Sequence, residues 1–125
     1  MHKTRPRYLD LFRIRLPIPA VTSILHRASG ILLFLGLPFF IFLLQGSLTK
    51  ESVFNTSRAI LAHPLAKLVD LVFVWALLHH LFAGVRFLIA DLHKGLELKT
   101  ARFTAKIVLF LPPIFTLLVG VFLLW

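Results

Sequence analysis

Cysteine is absent from the 125 residues, which excludes disulfides, thiolate metal sites and a cysteine nucleophile. Acid is scarce. Five Asp and Glu stand against fourteen Lys and Arg, and the five are dispersed, so no carboxylate pair is set up for acid–base work. No glycine-rich phosphate loop, dinucleotide fingerprint or metalloprotease motif occurs. The chain thus has no apparatus of its own for hydrolysis or hydride transfer, and its length allows one domain. It is equipped to hold a cofactor, to bind something at its edge and to anchor partners.

Apolar residues are what it has in plenty. They make up 58% of the chain, and its mean hydropathy is +0.90. Soluble domains average roughly 45–50% apolar. A chain this short has too little interior to hide that surface from water, so lipid is its natural solvent. A formal charge of +9 on a soluble protein would suggest nucleic acid. Here the basic residues sit between apolar runs whose aromatics are mostly Phe, a pattern of cationic loops at an anionic membrane face, with no nucleic-acid partner. The N-terminal stretch MHKTRPRYLDLFRIRLPIP resembles neither a removable secretory signal nor an organelle transit peptide. The simplest reading is a multi-pass protein of a bacterial cell inner membrane.

The expected fold is all-α, with three transmembrane helices at about 21–45, 65–91 and 104–125 behind a cytoplasmic N-terminal segment, 1–20. Ala28 to Thr49 carries no charge and meets the ~20 residues a crossing needs. Gly36 and Pro38 in its middle predict a kink. QGSLTKESVFNTSR then reads as a polar loop. In the second span, Asp70 to Arg86 covers roughly 24 Å at 1.5 Å per residue, less than the ~30 Å hydrocarbon thickness. One of these charges lies inside the membrane edge, and the apolar FLIA that follows Arg86 points to that one. DLHKGLELKTARFTAK reads as a second loop, and Ile107 to Trp125 as the third run, with Trp125 an interfacial anchor. Lys3, Arg5, Arg7, Arg13 and Arg15 precede the first span, and Lys94, Lys99, Arg102 and Lys106 lie in the second loop. Those two groups share a side, so the N-terminus is expected in the cytoplasm and the C-terminus outside.

This topology gathers polar groups at one depth: Ser23, His26 and Arg27 near the start of span one, and Arg86, Asp91 and His93 near the end of span two. Ser23 and Arg27 are four apart, so they meet on one helix face and can together hydrogen-bond a carbonyl or carboxylate. The bland alternative is an arginine snorkelling to headgroups and a serine capping the helix. His79 and His80 fall near mid-membrane, where ionisable residues are rare and usually functional. A neutral imidazole there either ligates haem iron or bridges to a carbonyl of a neighbouring helix. His80 shares a stripe with Gly84, Phe87 and Asp91, and Ala76 and Gly84 flank it by one turn, leaving room for a flat macrocycle. It is the preferred ligand, with His79 second. Adjacent residues point about 100° apart, so the two cannot grip opposite faces of one iron. A six-coordinate iron would need its other ligand from a second subunit. Anionic haem propionates would need cations at the depth of His26, Arg27 and Arg86.

With these residues in hand, the chain resembles the cytochrome b membrane-anchor subunits of succinate dehydrogenase, respiratory complex II. RPRYLDLFRIRLPIPAVTSILHRASG is similar to the family's first signature, an Arg-Pro, a Leu-Asp and a Ser-Ile-Leu-His-Arg-x-Ser-Gly core. HHLFAGVRFLIAD is similar to the second, His-x-x-x-Gly-x-Arg-His-x-x-x-Asp. The resemblance implies a bundle shared with a second anchor subunit, docking of an iron–sulfur and a flavoprotein subunit, and electron transfer from succinate to ubiquinone or menaquinone. It implies that Ser23 and Arg27 line the quinone site, that His80 is the axial ligand of haem b, and that His26 and Arg27 lie near the propionates. Phe87 stands where relatives carry a second histidine, so any role of that residue is lost or moved to His79 or His93. Two alternatives remain: the anchor of a fumarate reductase, running the reaction in reverse, and a non-redox membrane scaffold whose histidines relay protons or bridge helices.

Overall fold

The computed structural model describes residues 14–124. The Arg-Pro and Leu-Asp of the first signature, most of the expected N-terminal segment, and Trp125 lie outside the described residues. Four α-helices follow in order: α1 (Ile18–Thr49), α2 (Glu51–Leu61), α3 (Pro64–Asp91) and α4 (Leu98–Val119), the last continuing as a π-helical turn over Gly120–Leu124. Three stretches are long and apolar enough to cross a membrane: Ile18–Thr49, Pro64–Asp91 and Leu98–Phe122. At 32 residues the first is about 48 Å long, so its ends project past a ~30 Å core or the helix tilts.

Local chemistry sets the boundaries. Pro17 caps α1 and Pro19 sits in its first turn, where a missing N–H costs nothing. Extended Lys50 separates α1 from α2. At the head of α3, His63 Nδ1 accepts the Leu65 N–H at 3.2 Å, with Pro64 in the first helical position. The far end of α3 closes on His93 in the left-handed region at φ 57°. His93 N–H donates to Ala90 O at 2.9 Å and Lys94 N–H to Ile89 O at 3.3 Å, the paired bonds of a Schellman cap.

Two expectations are corrected. The stretch read as a polar loop after span one contains α2, an eleven-residue helix. Lysine and glutamate at its start hid the pairs Val53–Phe54 and Ile60–Leu61, which recur at seven residues and give it an apolar side. The third helix begins at Leu98, not near 104, because TARFTAK continues the helical pattern as a charged first two turns.

Alternating direction brings the start of α1, the end of α3 and the start of α4 to one end of the bundle, with α2 at the other. α3 packs on both α1 and α4. The contacts are made by small residues, as lipid-embedded helices require: Ala76, Ala83 and Ala105 are fully buried. A β-carbon on Gly36 would collide with the ring of Phe73, so glycine here lets the ring of α3 lie against α1. Thr22 Oγ1 reaches Ile18 O at 3.2 Å and Ala105 O at 3.4 Å, tying α1 to α4. Most large apolar side chains point outward, toward lipid.

Candidate functional site

One turn and a half of α1, from His26 to Gly30, forms a seat for His80 of α3. His80 Nδ1 lies 3.0 Å from the carbonyl oxygen of His26 and 3.3 Å from Ser29 Oγ. Ser29 Oγ itself donates to the same His26 carbonyl at 2.9 Å. Next to them Gly30 leaves space for the ring: a β-carbon there would stand 2.8 Å from His80 Cε1. The imidazole of His26 stacks on His80 with centroids 4.1 Å apart and planes 13° from parallel. Phe87 meets His26 edge-on at 5.2 Å, and Gly84 lies under it, a β-carbon at that position falling 3.6 Å from His26 Nε2. Of the stripe His80, Gly84, Phe87 and Asp91, the first three face His26 and Asp91 is exposed at the end of α3.

A carbonyl oxygen can only accept, so the bond to His26 places a proton on Nδ1 of His80. The other ring nitrogen, Nε2, makes no hydrogen bond among the described residues. Bridging to a neighbouring helix and ligating a metal are compatible here, since the bridge uses one nitrogen and leaves the other without a hydrogen bond. The room expected around His80 for a macrocycle is a different matter. Gly84 gives its space to the ring of His26, and Ala76 is sealed in helix packing. A flat group has to approach the half-buried His80 from outside this chain.

His79 points the other way. It is 0% exposed, stacked on Trp75 at 5.4 Å, with backbone of Thr22 and Val108 as its polar surroundings. Neither ring nitrogen makes a hydrogen bond of proper geometry. A sealed imidazole cannot reach a group shared with another subunit.

Ser23 and Arg27 meet as their spacing predicts, Arg27 Nη2 donating to Ser23 Oγ at 3.4 Å with the guanidinium exposed. Arg86 is not brought to them. Its Nε donates to Thr104 Oγ1 at 3.2 Å and its Nη2 to Ala101 O at 3.3 Å, so it is tied to α4, while its guanidinium carbon sits 5.4 Å from the Phe87 ring centroid. Asp91 and His93 are exposed at the α3 cap. Ser29 and Gly30 close the first signature but have no role in the sequence reading, although a small pair three and four residues beyond His26 is the available signal.

Comparison with known proteins gives a consistent result. Residues 1–119 match the family described as succinate dehydrogenase/fumarate reductase transmembrane subunit. The succinate dehydrogenase cytochrome b556 subunit of Coxiella burnetii is 35% identical over 124 residues, covering 98% of this chain and 99% of that one. The subunit of the same name from Paracoccus denitrificans is 33% identical over 98 residues, 78% of this chain and 75% of its own.

Proposed function

The chain belongs to the succinate dehydrogenase/fumarate reductase transmembrane subunit family, and from that premise we propose that it is the haem b-holding anchor of a bacterial succinate:quinone oxidoreductase. It docks the iron–sulfur and flavoprotein subunits at the membrane and completes part of the quinone site. The observation that carries this reading is that eight residues of α1, Ser23 to Gly30, hold both the His80 seat and the Ser23–Arg27 pair.

The donor set fits haem b. His80 offers Nε2 with its tautomer already set by the His26 carbonyl, as metal-bound histidines usually donate their other ring N–H to a carbonyl or carboxylate. The second ligand comes from the other anchor subunit. Haem b, when bound, supplies a one-electron carrier inside the membrane. Arg27 is exposed and free of any acid among the described residues, so it and the adjacent His26 are the groups to hold the propionates. Arg86 would join them only by giving up Thr104 and Ala101.

Quinone reduction places negative charge and then protons on two carbonyl oxygens. A guanidinium with a hydroxyl beside it stabilises that charge where it develops, and Ser23–Arg27 is such a pair. The relatives named for succinate dehydrogenase favour succinate oxidation over fumarate reduction as the working direction. In the purified complex, Ser23→Ala and Arg27→Leu should depress succinate-driven quinone reduction about 10²-fold or more, while succinate oxidation by a soluble artificial acceptor persists. Undiminished quinone reduction in both variants would refute the assignment, and equal loss of both activities would mark failed assembly instead of a quinone-site defect.

A further inference from the structure

Ser29 is fully buried yet fulfils no role in the quinone site, and its hydroxyl lies in a triangle with the two atoms that set the state of His80. Its proton is committed to the His26 carbonyl at 2.9 Å, which leaves its lone pairs toward His80 Nδ1 at 3.3 Å. The Nδ1 proton thus faces two acceptors, one from backbone and one from a side chain. We propose that Ser29 is a positioning residue that tunes the haem by drawing on the Nδ1 proton of its ligand. The proposal rests on His80 being that ligand.

The physical effect has a definite sign. An acceptor on Nδ1–H gives the ring partial imidazolate character and makes Nε2 a stronger donor to iron. Stronger donation stabilises the ferric state more than the ferrous, so it lowers the midpoint potential. Removing one of two acceptors weakens the effect without abolishing the bond to the His26 carbonyl. Haem should stay, and its potential should rise. Ser29 touches neither the membrane nor the Ser23–Arg27 face, so this readout is separate from quinone binding.

The test is a redox titration of the haem absorbance in the assembled complex. Ser29→Ala is expected to retain haem with the midpoint shifted to more positive potential. Ser29→Cys, bulkier than serine and a weak acceptor, leaves no cavity and should shift the same way. Ser47 makes the same intrahelical bond, to Leu44 O at 2.8 Å, at the opposite end of α1, so Ser47→Ala should leave the potential unchanged. An unshifted potential in haem-replete Ser29→Ala or Ser29→Cys overturns the proposal, as does an equal shift in Ser47→Ala. His80→Ala separates the two levels: if that variant keeps its haem, the ligand assignment itself fails. If it loses haem while Ser29→Ala is unshifted, only the role of Ser29 fails.

Discussion

At Gly30, one added carbon should undo the seat. A β-carbon 2.8 Å from His80 Cε1 forces movement of a ring held on one face by His26 and at one edge by two acceptors. Gly30→Ala should therefore weaken haem retention about 10- to 100-fold, measured as haem per complex during washing. Gly84→Ala, whose new carbon meets His26 Nε2 at an ordinary 3.6 Å, should retain it; equal loss in both variants would contradict the seat. Residue-level chemistry was legible where it depended on one helix. The i, i+4 spacing of Ser23 and Arg27 predicts their contact, and the 100° offset separates His79 from His80. Arg86 was not legible, because its direction depends on where α4 presents Thr104 and Ala101, and helix spacing within α3 carries no such information.

The elements were found from length and charge, and their ends were found less well. Three charge-free runs identify three spanning helices, since a helix satisfies its backbone within a single segment inside lipid. α2 escaped because eleven residues with polar ends look like a loop until docking on α1 selects the helix. Close packing of α1 on α3 depends on Gly36, whose missing side chain admits Phe73. Gly36→Ala should destabilise the complex by about 1–3 kcal/mol, the usual cost of overpacking, seen as a lower thermal inactivation temperature with unaltered haem spectrum. A variant as stable as the parent would show that Phe73 moves aside at no cost.

At the scale of the whole molecule, the absence of cysteine becomes an experimental asset. Asn55 on α2 and Leu96 in the α3–α4 turn are exposed and lie at opposite ends of the bundle. With the basic second loop inside, Asn55→Cys should react with a membrane-impermeant maleimide in intact cells and Leu96→Cys only after lysis. The reverse pattern would invert the topology. The expected orientation, the bundle and its polar end follow from this sequence, whereas partner subunits depend on surroundings that no single chain encodes. The central proposal is that the His80 nitrogen left without a hydrogen bond among the described residues is the one that would bind haem iron. The visible spectrum of the purified complex tests it: His80→Ala should abolish the haem b absorbance while His79→Leu, which removes two unbonded nitrogens from the core, keeps it. Haem retained in His80→Ala, or lost from His79→Leu alone, would contradict it.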